Sequence, residues 1–156
     1  MSTPDPADLE AAKQASTLQL LFRCARLVNE LGLARVRERY NKPGLRAAHT
    51  ALFPHLDLEG TRLTELARRV GVSKQAVGQL VDDLEAMGAL ERVPDPSDGR
   101  AKLIRFKGRW MLDGLGVLME LEQELGERAG AEEMAGLRRG VVAVLTALEP
   151  RETERG

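Results

Sequence analysis

The sequence predicts a mainly helical fold that carries one small β-hairpin. Apolar residues recur at helical spacing along most of the chain, two helical stretches meet at a glycine turn, and two extended runs flank the turn PDPSDG. The 156 residues suffice for one domain with helical extensions. Apolar residues make up 43% and aromatic residues 3%, so we expect an aliphatic core.

The chain begins with the acidic, proline-rich run MSTPDPADLE, and residues 1–7 are predicted to be a disordered lead. Residues 8–44 form an N-terminal helical segment, in which one long helix begins near Asp8 and Gly32 is a candidate break. Its apolar residues cover more than one side of the helix. A helix of this kind needs two partners, such as its own core and another subunit.

A second helix is predicted from Leu45 to Phe53 or Leu56, after the break at Asn41 to Gly44. Residues 57–60 form a turn, and residues 61–63 can supply a short strand that completes a small sheet. These elements lead directly into the central part of the chain.

The central part is a helix-turn-helix, with helices at Thr64 to Val70 and Ser73 to Met87 and a turn at Gly71-Val72. One face of the second helix carries its apolar residues Ala76, Val77, Leu80, Val81, Leu84 and Met87. The other face begins with Lys74, Gln75, Gly78 and Gln79, and ends with the acidic residues Asp82, Asp83 and Glu85. Because carboxylates repel phosphates, such a helix can enter DNA only by its N-terminal end.

A hairpin follows, with strands at Leu90 to Val93 and Arg100 to Phe106 and a turn at Pro94 to Gly99. Residues 61–109 carry 10 basic and 7 acidic residues, giving +3, whereas residues 110–156 carry 5 and 10, giving −5. Positive charge is therefore concentrated on the helix-turn-helix and its hairpin, as a surface that faces DNA requires.

Two helices close the chain, at Trp110 to Arg128 and at about Glu132 to Leu148, and Gly130 separates them. They make up a segment at residues 110–149, and residues 150–156 form a polar tail. The helices at both ends of the chain are too long and too apolar to cover only a small central domain. Two-fold pairing would bury this surplus, so we expect a homodimer.

The run LTELARRVGVSKQAVGQLVDDLEAMGALER, followed by DGR at residues 98–100 and by AKLIRF, resembles the MarR family of transcription regulators. The resemblance implies a mainly α fold, in which a winged helix-turn-helix domain at residues 45–109 has a small β-hairpin wing. Long N- and C-terminal dimerisation helices flank this domain. It also implies a homodimeric, sequence-specific DNA-binding regulator, a repressor released by a small ligand. Asp83 stands where a basic residue is common in the family.

The resemblance and the side-chain chemistry together give the expected contacts to double-stranded DNA at a pseudo-palindromic operator. Gln can pair with adenine, Lys with guanine or phosphate, and an arginine on a narrow hairpin can reach the minor groove. We expect Asp98 to position Arg100 by an ion pair, and Gly78 to allow close approach to the duplex. Arg68 and Arg69 are further candidates for phosphate contacts. The predicted DNA-binding residues are Arg62, Thr64, Ser73, Lys74, Gln75, Gln79, Asp98, Arg100 and Lys102.

A small aromatic or lipophilic effector would bind in a crevice between the dimerisation helices and the winged domain. Each candidate lining residue is equally well a core residue. The candidates are His49, Phe53, Trp110 and Met111.

No pattern in the sequence indicates an enzyme, a cofactor or a metal site: His49 and His55 are six residues apart, and there is one cysteine. Cys24 has apolar neighbours and is predicted to be a packed, inert thiol rather than a peroxide sensor. We expect no membrane segment and a cytoplasmic protein. The alternative function is a winged-helix module that binds proteins and never binds DNA.

Overall fold

In the computed structural model, which describes residues 5–149, the N-terminal segment is two helices rather than one. Helix α1 (Pro6–Ala15) and helix α2 (Thr17–Tyr40) are separated at Ser16, whose hydroxyl accepts a backbone N–H of the first turn of α2. Gly32 lies inside α2 and is buried. The predicted break at Gly32 is therefore wrong, because a serine can cap a helix whereas a packed glycine only weakens one.

The predicted disordered lead at residues 1–7 overlaps the start of α1. Asp5 caps this helix by accepting the backbone N–H of Ala7 at 2.9 Å, and Pro6 occupies the first helical position. Proline is well suited to that position because its missing N–H would have no partner there. Residues 1–4 lie outside the described residues.

The predicted second helix is shorter in the structure. Helix α3 (Ala47–Thr50) is a single turn, and a 3-10 helix (Phe53–His55) follows it. Pro54 explains the difference, because proline cannot donate a helical hydrogen bond and disfavours a helical residue before it. The predicted turn that ends at Gly60 is present, with the Gly60 N–H donating to the Asp57 carbonyl at 3.0 Å.

The helix-turn-helix forms as predicted, from α4 (Leu63–Val70) and α5 (Lys74–Ala86). Strand β1 (Thr61–Arg62) comes before α4, and it lacks Leu63 because that residue already begins the helix. Strands β2 (Leu90–Asp95) and β3 (Asp98–Phe106) form the hairpin.

The three strands make one antiparallel sheet in the order β1-β3-β2. The hairpin strands are longer than predicted, because pairing continues past Pro94 through a register shift at Pro94-Asp95. Only Pro96 and Ser97 connect them, so the predicted six-residue turn shortens to two residues.

The chain forms two compact units, and the first ends at Leu115. An aliphatic core, as the composition predicts, fills residues 45–109 of this first unit, which are called the winged part below. Leucines, valines and one isoleucine from α4, α5 and the hairpin are fully buried, and among them are Leu66, Val77, Val81, Leu84, Leu90 and Ile104. This core fixes α5 against α4 and the sheet.

Helix α2 also belongs to the first unit, and most of its outer surface is not covered. Phe22 is 65% exposed and Leu18 55%. Cys24 is exposed as well, so the predicted packing of this thiol is wrong in the single chain. Its apolar neighbours Leu20 and Leu27 are also exposed, by 55% and 42%.

The second unit begins at Gly116, inside helix α6 (Trp110–Ala129). Helix α7 (Ala131–Leu148) follows Gly130, whose φ of 113° suits glycine, and α7 contains no buried residue. The tail predicted at residues 150–156 lies outside the described residues. Among residues 5–149, no helix combines the length and apolarity needed to cross a membrane.

Candidate nucleic-acid interface

The turn of the helix-turn-helix is closed by backbone hydrogen bonds that only a left-handed residue permits. Gly71 has a φ of 77°, and the N–H groups of Gly71 and Val72 both donate to the Ala67 carbonyl, at 2.9 and 3.2 Å. Ser73 then caps α5 by accepting the Ala76 N–H at 3.2 Å. These contacts fix the path of the backbone from the end of α4 to the start of α5.

The N-terminal half of α5 presents polar side chains to solvent. Ser73, Lys74, Gln75 and Gln79 are all exposed, on the side that the sequence predicts. Ala76 is also exposed, although the pattern places it on the buried face. The buried stripe therefore begins at Val77.

Gly78 lies at the edge of the exposed side of α5. It is half-buried, and a Cβ on it would lie 3.9 Å from the Leu63 side chain of α4. The expectation that Gly78 allows close approach to a duplex stays a prediction, because this half-buried position has room for a Cβ beside α4.

The three carboxylates in the acidic half of α5 are all paired with two arginines from other elements. Arg92 of β2 pairs with Asp82 at 2.8 Å and also with Glu85. Arg46, which comes just before α3, pairs with Asp83 at 2.9 Å. The sequence shows the acidic half but not its partners, which are at least seven residues away along the chain.

Asp83 has a second partner, His49, which is only 1% exposed. The Nδ1 atom of His49 accepts the Arg46 backbone N–H at 3.0 Å, and its Nε2 atom lies 3.2 Å from Asp83 Oδ2. Hydrogen bonds from His49 and Gln79 hold the pKa of the Asp83 carboxyl below its usual range. Both ring nitrogens of His49 are engaged, so the expectation that it lines an effector crevice is replaced by a structural role.

The other candidate effector residues are half-buried near the start of α6. Phe53 packs edge-on against Phe106 with 5.3 Å between ring centroids. The Lys42 ammonium lies 5.6 Å from the Trp110 ring centroid. Met111 is also half-buried. Phe53 and Trp110 both pack against the aliphatic core.

The hairpin carries Arg100 and Lys102 on exposed positions of β3. The predicted ion pair between Asp98 and Arg100 is wrong: the Asp98 carboxylate accepts the backbone N–H of Arg100 at 3.2 Å. The other Asp98 oxygen lies 3.8 Å from Arg62. Within residues 5–149 the Arg100 guanidinium forms no ion pair, so its charge is directed to solvent.

Arg62 is engaged at the turn end of the hairpin. Its Nε and Nη2 atoms lie 2.7 and 2.5 Å from Asp95 Oδ2. Asp95 is 6% exposed, and its other oxygen accepts the backbone N–H and the hydroxyl of Ser97. These bonds, with those from Arg62, lower the pKa of Asp95 to about 2. The run Asp-Pro-Ser is a turn signal from which the hydrogen bonds between Asp95 and Ser97 could have been predicted, but not the partner Arg62.

Arg68 and Arg69 are both held by Glu65, at 2.6 and 2.9 Å. Arg69 also pairs with Asp57 at 2.9 Å and donates to the His55 carbonyl. Arg69 therefore ties α4 to the loop before β1. In residues 5–149 no three His, Cys, Asp or Glu side chains group as a metal site.

Comparisons with known proteins agree with this geometry. The model of the MarR family matches residues 45–101, which contain α3, the helix-turn-helix and most of the hairpin. No curated protein sequence matches the chain.

Solved structures of similar fold extend over nearly the whole chain. The PcaV transcriptional regulator from Streptomyces coelicolor, in complex with its natural ligand, is 22% identical over 96% of this chain and 100% of its own, with a TM-score of 0.56. The transcriptional repressor CouR bound to a 23-mer DNA duplex is 20% identical over 92% and 99%, with a TM-score of 0.60. CouR from Rhodococcus jostii RHA1 bound to p-coumaroyl-CoA is 20% identical over 89% and 97%, with a TM-score of 0.62.

The family match covers the turn of the helix-turn-helix, the cap at Ser73 and most of the hairpin. The fold likeness adds the flanking helices. Residues 45–101 are similar to the MarR family, and in this structure they form a helix-turn-helix with most of its hairpin.

Proposed function

We propose that the chain is a homodimeric transcription regulator that binds a pseudo-palindromic operator, acts as a repressor, and is released by a small ligand. The observation that carries this proposal is the contrast along α5: polar side chains are exposed at its N-terminal end, and the carboxylates at its C-terminal end are paired with arginines. Such a helix can approach a duplex by its N-terminal end, where no unpaired carboxylate would lie beside phosphates.

The proposed DNA contacts come from α4, the N-terminal end of α5 and the hairpin. Gln75 and Gln79 present amides for base edges, and Lys74 presents a charge for guanine or phosphate. Arg100 would enter the minor groove. Arg62 and Asp98 hold the hairpin in place, and the remaining contacts come from Thr64, Ser73 and Lys102. CouR bound to a DNA duplex supports this use of the fold.

The proposed dimer rests on the uncovered apolar side chains of α2 and α7. Leu148 is 74% exposed and Phe22 65%, and a second copy would bury them. Two copies of α5 would then face two half-sites about one helical turn apart.

The proposed effector is a small aromatic or lipophilic molecule near Phe53, Trp110 and Met111. PcaV in complex with its natural ligand, CouR with p-coumaroyl-CoA and MepR with ethidium bromide support the general idea of a ligand-responsive regulator. Such a ligand would act by binding more tightly to a dimer whose two α5 helices no longer match successive major grooves.

The test compares Lys74→Ala with Gln75→Ala in fluorescence anisotropy titrations. Both residues are exposed, so both variants should stay folded. Loss of Gln75 should cost about 1–3 kcal/mol on the cognate site and relax one base preference per half-site. Loss of Lys74 should weaken cognate and random duplex alike and reduce the slope of log affinity against log salt by about 1 for each phosphate that Lys74 neutralises.

The cognate duplex would first be sought upstream of the coding region of this chain. Folded variants that both keep the affinity, selectivity and salt slope of the parent protein would overturn the placement of α5 in the groove. A parent protein that binds no duplex more tightly than random DNA would instead favour the protein-interaction module.

A further inference from the structure

Asp83 lies between two groups of hydrogen-bond donors on opposite sides of its carboxylate. Its Oδ2 atom accepts from Arg46 Nη2 at 2.9 Å and from His49 Nε2 at 3.2 Å. Its Oδ1 atom lies 3.2 Å from the amide nitrogen of Gln79, one turn earlier on α5. The carboxylate therefore connects a buried histidine to an exposed amide on the proposed DNA-facing surface.

The buried side of this network has a fixed hydrogen pattern. His49 Nδ1 accepts the Arg46 backbone N–H, so in the neutral ring Nε2 carries the hydrogen and donates it to Asp83. Arg46 can only donate. Oδ2 is thus held by two donors, which leaves Oδ1 as the atom that Gln79 meets.

The orientation of the Gln79 amide follows from this pattern. An ionised carboxylate only accepts hydrogen bonds, so the NH2 group of Gln79 must face Asp83. The carbonyl oxygen Oε1 then lies at the far end of the amide, on an exposed side chain. A free glutamine on a helix surface could present either end outward.

We propose that Asp83 is a positioning residue that makes Gln79 present its carbonyl oxygen to the DNA, and so selects a base with an exocyclic amino group. In the major groove these bases are adenine, through N6, and cytosine, through N4. Guanine and thymine offer the oxygens O6 and O4 there and are disfavoured. This inference rests on the proposed function, because it requires α5 to enter the groove.

The substitution that tests this role is Asp83→Asn, which keeps the shape of the side chain. The amide oxygen of the new asparagine would stay with the donors Arg46 and His49, so its NH2 group would face Gln79. Gln79 would then turn its own oxygen inward and its NH2 group outward. The preferred base should therefore change from adenine or cytosine to guanine or thymine, by about tenfold in relative affinity.

The matched control is Asp82→Asn. Asp82 is adjacent on the same helix and pairs with Arg92, and its carboxylate contacts no glutamine among the described residues. Both substitutions remove one negative charge near the duplex, so both should raise the affinity for random DNA similarly. Only Asp83→Asn should change a base preference.

The probe is a pool of duplexes with about 30 random base pairs, long enough for two half-sites one helical turn apart, sequenced before and after binding. The base pair that Gln79 reads is the one whose preference disappears in Gln79→Ala. The parent protein should enrich adenine or cytosine at that base pair. This expectation can be checked even if the Asp83→Asn variant does not fold.

A guanine or thymine at that base pair in the parent protein would overturn the inference. So would an Asp83→Asn variant that folds and keeps the parental base, or a Gln79→Ala variant that changes no position. If the parent protein enriches no sequence at all, the proposed function itself is wrong. That outcome differs from the three above, which contradict only the role of Asp83.

Discussion

The winged part of the chain and the helices that flank it leave opposite kinds of surface exposed. In the winged part, apolar side chains such as Leu84 and Ile104 are fully buried, and its outward positions carry Lys74 and Arg100. In α7 no residue is buried, and Leu145 is 52% exposed. The winged part buries its apolar side chains in a core and exposes charged ones. The flanking helices expose apolar side chains instead. The proposed function uses this difference, because it assigns a polyanion to the winged part and a second copy of the chain to the flanking helices.

The largest effect is expected where the apolar surface of α7 is made acidic. Leu145→Asp should shift the mass measured by light scattering from that of a dimer to the 17.1 kDa of one chain. Each buried leucine is worth about 1.5–3 kcal/mol, and a dimer contains two copies, so the cost is about 3–6 kcal/mol.

Leu58→Asp is the matched control for this charge. Leu58 is 70% exposed in the turn before β1, away from α7 in the sequence. Its variant should remain dimeric. If the parent protein itself has the mass of one chain at micromolar concentration, the proposed pairing of the flanking helices is wrong.

A smaller effect, on stability alone, is expected in the core of the winged part. Leu84 is fully buried between α5 and its neighbours, so Leu84→Ala should lower the free energy of unfolding by about 2–5 kcal/mol in denaturant titrations. The exposed Leu58, replaced by alanine, should change it by no more than about 0.5 kcal/mol. If Leu84→Ala and Leu58→Ala lowered the free energy of unfolding equally, Leu84 would not be part of a buried core.

The charge that the winged part leaves exposed should matter for binding and not for folding. Arg100→Ala should weaken operator binding by about 1–3 kcal/mol with little change in melting temperature, since its guanidinium has no ion-pair partner in residues 5–149. Arg105→Ala is the control on the same strand, because Arg105 already pairs with Glu91 at 2.8 Å. If both variants bind DNA equally well, Arg100 is not the minor-groove contact.

The sequence predicted those elements of the fold whose signals are local. Gly71, the cap at Ser73 and the apolar stripe of α5 are each predicted from a few neighbouring residues. The structure places them as expected, except that Ala76 is exposed and the stripe begins at Val77. Helix boundaries at Ser16 and Pro54 were less well predicted, because a cap and a proline compete with continuous helical periodicity.

Contacts between distant segments were not predictable. Asp83 appeared as an acidic residue of α5 and as a departure from the family pattern, but its partners Arg46 and His49 are 37 and 34 residues away. Arg62 and Asp95 are 33 residues apart and were not connected in the sequence. In both cases an acidic residue could be seen, but the cation that pairs with it depends on the tertiary fold.

The smallest effect concerns Gly78, which is half-buried on α5 beside Leu63 of α4. Gly78→Ala should raise the free energy of unfolding by about 1 kcal/mol, because alanine is the better helix former and its Cβ would make an ordinary contact 3.9 Å from Leu63. Operator affinity should not change, since this side of α5 packs on α4. Gly71→Ala is the opposite control, because a φ of 77° strains any residue with a Cβ, and it should destabilise the domain. A Gly78→Ala protein that is more stable but binds its operator less tightly would show that the duplex approaches α5 at this position, and would place Gly78 on the DNA-facing surface.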